Sequence, residues 1–471
     1  MKRIIVSLTV VVLVASCSVF KKYSRPESIS TDNLFGDKIE AVDTVTIADV
    51  SWRKFFRDKH LQALIEQGLK NNSDLKIASH HIAEAMASLR AAKLSFLPTL
   101  SYSPGVSISG NRSSIGYEYT LPLSASWEIN PASLINNKRR AQMALEQSTL
   151  YRRSVQTQVV STIANLYYTL LMLDAQLEIS ETTAASWKEN VRIMRAMKDA
   201  GMTNEASISQ TEANSCSIDA SLYDLRYKIT QVENSLALIL GTTPQTFSRG
   251  TLEEQDLNDD LLTGVPAQLL SRRPDVQHAE QNLKVAFYNT NIARSALYPS
   301  LMITGSGGLE EALSRPVSWF FSFAAKLVGT IFNGGKNRAN LKIAEAQQES
   351  AIIAFQQKLL EAGSEVNNAV AQCKTARSKA DIRHRQIEAL ESAVYSTQQL
   401  MRHSESTYLE VLTAQQSLLS AQLLQISDRF EGIQGIINLY HALGGGVDEQ
   451  NEAEAMPQNG KGKGAKAGKK R

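Results

Sequence analysis

Cys17 is the residue whose setting most directly calls for a reaction. It follows Lys2 and Arg3, an apolar stretch from Ile4 to Val14, and the small residues Ala15 and Ser16. That order is a secretory signal, too short for a stable span and ending where a peptidase needs small side chains. Cleavage after residue 16 would make Cys17 the first residue and offer its thiol to a lipid. Several acyl chains would then anchor the protein firmly, because each buried CH2 contributes ~0.8 kcal/mol.

Val14-Ala15-Ser16-Cys17 resembles the lipobox of bacterial lipoproteins, with Val14 in place of the more frequent leucine. Ser18 lacks the aspartate that commonly holds such proteins at the inner membrane. The other cysteines, Cys216 and Cys373, lie far apart in helical patterns and read as small packing residues, with no framework or metal spacing. His80 and His81 are adjacent on a helix and point apart, so they are poor joint ligands; His278, His403 and His441 are isolated. No Walker loop, zinc spacing or nucleophile motif is present, so no enzyme, cofactor or metal centre is expected. Of 471 residues, 50 are Lys or Arg and 47 are Asp or Glu, a net +3 that gives no field for nucleic acid. Mean hydropathy is −0.21. Beyond the N-terminus no apolar run approaches the ~20 residues of a membrane helix.

The elements that must position these residues occur twice. Asp74-Leu75 answers to Asp275-Val276, and Leu97-Pro98-Thr99-Leu100 to Tyr298-Pro299-Ser300-Leu301, both 201 residues apart. Each copy reads as helix, two strands, long helix, second helix. In the first copy Tyr117, Tyr119, Leu121, Leu123, Ala125 and Trp127 alternate with Glu118, Thr120, Ser124, Ser126 and Glu128, a period of two with one apolar face. Its partner runs from Ser101 to Ser109, and Asn111-Arg112-Ser113-Ser114 makes the turn. In the second copy Trp319, Phe321, Phe323, Ala325 and Leu327 form the apolar row, while the partner begins near Leu301 and dissolves into Gly305-Ser306-Gly307-Gly308. Pro104 and Pro122 each remove a ladder donor and should weaken pairing locally. The apolar faces suit either a soluble sandwich or a membrane barrel, whose tilted strands need ~9–11 residues. Four strands cannot close a barrel of the smallest size, about eight, so a barrel must be shared by several chains.

From Asn137 to Lys198 there is neither proline nor glycine, and apolar residues such as Val159, Ile163, Leu170 and Leu173 recur at coiled-coil spacing. Leu225 and Leu236, then Phe355, Leu359 and Val366, then Leu412, Ile426, Ile433 and Ile437 continue such seams. Gly241 and Gly444-Gly445-Gly446 close the two returning helices. The tail from Asp448 to Arg471 is acidic, then Gly- and Lys-rich, a composition that does not fold.

Together these parts resemble the outer-membrane factors of tripartite efflux pumps. The matching segments are Trp52-Arg53-Lys54-Phe55-Phe56-Arg57-Asp58, Arg272-Arg273-Pro274-Asp275-Val276, Leu297-Tyr298-Pro299-Ser300-Leu301, Ile331-Phe332-Asn333-Gly334-Gly335-Lys336 and Leu439-Tyr440-His441-Ala442-Leu443-Gly444-Gly445-Gly446. The resemblance covers roughly residues 50 to 446. It implies a mainly α fold with membrane β-hairpins, in which a homotrimer closes a twelve-stranded barrel continued by a periplasmic α-helical barrel. It implies an outer-membrane lipoprotein that exports small molecules as a passive conduit, with a periplasmic adaptor and an inner-membrane transporter as partners. The expected divisions are the signal 1–16, an anchored linker 17–50, repeats 51–250 and 251–446, and the tail 447–471. The helix turns at Asp199–Ala206 and Arg402–Leu409 would be the gating tips. Glu410 sits where family members place acidic residues around the aperture, although Thr413 and Ser207 are uncharged and the second tip lacks the usual glycine.

Two other functions share these features. A structural coiled-coil tether between membrane and wall explains the lipobox, the seams and the basic tail, but leaves the aromatic strands without a role. A protein-secretion exit duct keeps the channel and changes its cargo.

Overall fold

The structure, a computed structural model, describes residues 22–26, 50–111, 114–255, 273–312, 315–402 and 408–446. Its helices are α1 (Trp52–Phe55), α2 (Lys59–Asn71), α3 (Ser73–Leu94), α4 (Pro131–Asp199), α5 (Glu205–Ile239), α6 (Pro274–Ser295), α7 (Lys336–Arg402) and α8 (Tyr408–Ala442). The strands are β1 (Thr99–Tyr102), β2 (Gly105–Asn111), β3 (Ser114–Ile129), β4 (Ser300–Ala312) and β5 (Arg315–Val328). No helix among the described residues is long and apolar enough to cross a membrane. Two compact units form: one from Met1–Ser30, His80–Tyr151 and Asp275–Lys358, the other from Thr31–Ser79, Arg152–Pro274 and Leu359–Arg471, each through its described residues.

The first unit holds an antiparallel sheet of five strands in the order β1-β3-β4-β5, with β2 also on β3. Two expectations need correction. The first copy has three strands, because its partner strand breaks at Ser103-Pro104 into β1 and β2. Proline at 104 offers no N–H, and the chain resumes pairing at Gly105. In the second copy the strand does not dissolve at its glycines: β4 runs through them, pairing on both sides. There the neighbours need the glycine. A Cβ on Gly308 would lie 2.8 Å from Pro122 Cα and closer still to Leu121 O.

Asn side chains join these strands to the helices. Asn130 Oδ1 accepts from Ser133 N at the start of α4, while Asn130 Nδ2 donates to Ser295 O at 3.3 Å. Asn337 Nδ2 donates to the next carbonyl, Ala296 O, at 2.9 Å. Residues at the starts of α4 and α7 thus donate to carbonyls at the end of α6, where Ser295 O also accepts from Tyr298 N at 3.1 Å. The helix expected from Asn137 begins earlier, at Pro131, since proline suits the first turn. At ~1.5 Å per residue, its 69 residues extend ~100 Å.

The second unit is built on the seams. Val159, Ile163, Leu170, Leu173, Leu236, Leu359, Val366, Leu412, Ile433 and Ile437 are buried, as the spacing requires. Gly241 (φ 65°) and Gly444 (φ 88°) take the left-handed conformation that ends a helix cheaply only for glycine. Cys373 is buried beneath Gly435, as a packing residue; Cys216 is exposed, so it does not pack, because it falls off the Ile208–Thr211–Ser215 face of α5.

Candidate functional site

The sheet separates two chemistries. On one side, register places Leu100 and Tyr102 beside Ala125 and Leu123, then Leu121 beside Leu309, Trp127 beside Ile303 and Leu309 beside Trp319. Val106, Ile108, Tyr117 and Tyr119 extend this face along β2 and β3. Ala125, Trp127 and Ile303 are half-buried, but much of the rest stands in the open: Trp319 is 83% exposed, Phe321 88% and Phe323 75%. So broad an apolar surface is far beyond the scattered hydrophobics of an ordinary soluble surface and requires a non-aqueous neighbour.

The other face carries hydroxyls. Ser101, Ser124, Ser306 and Ser322 stand opposite one another across four successive strands. Ser306 and Ser322 hydroxyls lie 2.8 Å apart. Thr99, Ser126 and Thr304 form the adjacent row. Within the chain β1 and β2 lie at one edge of the sheet and β5 at the other, each with one side unpaired among the described strands. Unpaired ladder groups beside lipid are intolerable, so both edges need further strands if the apolar face meets lipid.

The first helix turn is built by charge and capping. Gly201 (φ 76°) closes the end of α4, and Asn204 Oδ1 accepts from Ser207 N at 3.0 Å to start α5. Lys188–Asp219 (2.9 Å), Arg195–Glu212 and Lys198–Glu205 tie α4 to α5 toward this turn. At the second turn the expected tip residues 403–407, His403 among them, lie outside the described residues. Glu410 is in the first turn of α8, exposed, near Tyr408, whose phenol is pushed up to about 12 by burial. Asn190 Nδ2 donates to Gln415 Oε1 (3.0 Å) and Gln176 Nε2 to Ser427 Oγ (3.1 Å), so neutral amides join α4 to α8.

Three of the five segments that carried the resemblance, those around Phe55, Arg273 and Tyr440, contribute clasps to the second unit. Arg273, 2% exposed, donates to Ala442 O at 2.9 Å and to Glu365 at 2.6 Å. Phe55 stacks on Tyr440 (4.1 Å, 8°), and Tyr440 Oη donates to Val50 O at 2.7 Å. Asp58 caps α2 through His60 N (2.7 Å) and accepts from Tyr167 (2.5 Å) and Gln255 (3.0 Å). Burial, then the bond to Asp58, raises the Tyr167 phenol well above its usual value, so it remains a donor. Arg249 bridges Asp174 and Glu233. Sequence reasoning named Arg273 and Asp58 without a role; Arg249, Tyr167 and Gln255 carried no signal beyond their residue type.

Cys17 lies outside the described residues. His80 and His81 are exposed, with His81 3.2 Å from Glu84. Among the described residues no group of three or more His, Cys, Asp or Glu is placed to hold a metal.

A model of the family described as "Outer membrane efflux protein" matches this chain twice, over residues 64–242 and 265–445. The chain belongs to that family. It is 29% identical over 458 residues to the cation efflux system protein CusC of Escherichia coli K12, covering 93% of this chain and 98% of that one. It is 27% identical to the probable outer membrane lipoprotein SilC of Salmonella typhimurium, over 94% and 98% of the two chains. A solved structure of CusC superposes with a TM-score of 0.78 at 27% identity, covering 91% of this chain and all of that one. The Neisseria gonorrhoeae MtrE outer membrane channel, at 24% identity, gives a TM-score of 0.80 over 92% and 99%. This family member is an outer-membrane efflux channel protein. Its relatives are outer-membrane components of efflux pumps.

Proposed function

We propose that three copies close one barrel, each giving four strands (β1 with β2, then β3, β4 and β5), and that small molecules pass through it passively to the exterior. The observation that carries this reading is the open sheet: its apolar face is exposed, its other face is hydroxylated, and both edges end unpaired. Joining β5 of one copy to β1 and β2 of the next satisfies both edges and reaches twelve strands, above the minimum of about eight. The α4–α5 and α7–α8 pairs of three copies continue the tunnel into the periplasm. There a periplasmic adaptor and an inner-membrane transporter supply cargo and energy.

Cys17 is the lipidated residue, after removal of residues 1–16, and residues 17–50 form the anchored linker. The repeats occupy 51–250 and 251–446, with 447–471 as a solvated tail. The gate lies at the helix turns, with Glu410 of three copies facing the aperture. A carboxylate ring there favours cations. The cargo is a class of small toxic compound: the relatives are named for cations in CusC and for toluene in TtgC of Pseudomonas putida.

Purified protein in planar bilayers tests the reading. It should give discrete conductance steps and a trimer that dissociates on heating in SDS. A monomer without conductance would end the channel reading and leave the tether.

A further inference from the structure

The first unit contains a cleft that the conduit does not use. It has a volume of about 380 Å³, in the lower part of the ~300–1,000 Å³ range of small-ligand pockets. Its walls are Lys22, Tyr23, Arg139, Met143, Lys284 and Tyr288. Arg139 and Met143 are four residues apart on α4, and Lys284 and Tyr288 are four apart on α6, so each pair presents one helix face. The segment 22–26 closes the third side. It is held there by Tyr23 packing edge-on against Phe287 (5.6 Å, 79°), by Arg25 over Phe355 (5.1 Å), and by Arg25 with Glu280 (3.6 Å).

Two features point to an anionic occupant. First, three cations line one small space, yet among the described residues none of Lys22, Arg139 and Lys284 has a carboxylate within salt-bridge distance. Their neighbours are spoken for: Glu280 takes Arg25, and Asn289 takes Arg140 at 3.5 Å. Lys284 Nζ rests 5.6 Å from the Tyr23 ring centroid, with its charge left for another partner. Second, the Tyr23 hydroxyl is buried and unpartnered. A buried donor without an acceptor costs free energy on the order of 1–3 kcal/mol, and beside a polar cleft an acceptor supplied from outside would relieve it. Burial, followed by Glu280, pushes this phenol up to about 12, so it stays protonated and donates.

The cleft's place in the chain selects the source of that acceptor. Lys22 is five residues from Cys17, so the thiol lies within ~18 Å of the cleft at full extension. The cleft belongs to the unit that carries the exposed apolar sheet. We propose that Lys22, Tyr23, Arg139 and Lys284 bind the phosphate of an anionic phospholipid headgroup, a second and non-covalent lipid contact beside the anchor. This rests on the membrane reading of the sheet and of Cys17. Phosphate oxygens suit the donors: Arg139 offers a planar fork, the lysines point charges, and Tyr23 one further hydrogen bond.

The test uses the full-length protein, delipidated in detergent, with native mass spectrometry counting retained phosphatidylglycerol or phosphatidylcholine. The wild type should retain phosphatidylglycerol over phosphatidylcholine. Arg139→Gln with Lys284→Gln should bind it about tenfold more weakly or worse, as charged hydrogen bonds require. Tyr23→Phe, which disturbs no packing surface, should weaken it several-fold. Arg139→Lys with Lys284→Arg should restore most of it, and the charge-matched control Lys93→Gln with Lys138→Gln should change nothing. Undiminished binding in both the double Gln variant and Tyr23→Phe would overturn the proposal. Retention of inorganic phosphate in competition with the lipid would also overturn it, in favour of a free-phosphate site. The mass of Cys17→Ala against wild type reports acylation separately, so an absent anchor is distinguishable from an empty cleft.

Discussion

Arg273 Nη1 donates to the carbonyl oxygen of Ala442 at 2.9 Å, joining the start of the second repeat to the last turn of α8. The acceptor is one of the four carbonyls that a helix C-terminus leaves open, and a cation there also complements the helix dipole. Gly444, at φ 88°, is what lets the chain turn against this arginine: its Cα environment leaves a Cβ 3.4 Å from Arg273 Cα. The Arg-Pro-Asp and Gly-Gly-Gly segments are therefore two halves of one joint. Arg273→Met keeps most of the buried stem but leaves the carbonyl and Glu365 without this partner. The loss should be about 2–3 kcal/mol, near the upper range for a hydrogen bond to a charged group. Thermal unfolding in detergent should fall accordingly, and Arg273→Lys should recover only part of it. An unchanged midpoint for the Met variant would show the joint to be dispensable.

Gly308 and Gly305 separate strand pairing from mere glycine content. Gly308→Ala forces a methyl into Leu121 O and Pro122 Cα, both backbone atoms that cannot step aside. Gly305→Ala meets nothing nearer than 3.8 Å. The first variant should lose the heat-modifiable assembled form, while the second should keep it. Semi-native electrophoresis reads both, and equal behaviour would sink the steric argument.

Much of this was legible because periodicity survives in both halves. The alternation from Tyr117 to Trp127 fixes which residues share a face, and the seam from Val159 to Leu173 fixes which side of α4 is covered. The break at Pro104 was legible only as a weakening, since proline removes a donor without saying whether the strand continues. The glycines of β4 misled for the opposite reason. They signal flexibility in isolation, yet here Gly308 is demanded by a backbone lying against it from another part of the chain. The phosphate cleft was invisible in the sequence, because Lys22, Arg139 and Lys284 meet only through folding. Its one local trace is the basic run Lys138-Arg139-Arg140.

His278 makes stability depend on pH. Burial, the largest influence, lowers its pKa below the usual value near 6.5; Asp275 opposes this and Lys358 adds to it. The folded state therefore holds His278 neutral where the unfolded chain already takes up a proton. As pH falls through about 6.5 the unfolded state gains protons first, so stability drops until the folded pKa is passed and then levels. His278→Phe retains a ring against Tyr151, now 5.7 Å away, and removes this titration. Between pH 7.5 and 5.5 the wild type should lose more thermal stability than the variant. Parallel losses would assign the pH dependence elsewhere.

The proposed gate has its own electrical test at Glu410. Its position in the first turn of α8 means that threefold symmetry would set three carboxylates around one axis, if the α7–α8 turns meet there. Crowded like charges attract cations and resist anions, and the effect weakens once salt screens over less than ~10 Å. Glu410→Gln should therefore lower the cation-to-anion permeability ratio measured from reversal potentials under a salt gradient. The change should be larger at 0.1 M than at 1 M. Glu205→Gln serves as the control, because Glu205 lies at the other helix turn, in the first turn of α5. Equal reversal potentials for wild type and Glu410→Gln at low salt would remove this carboxylate from the aperture.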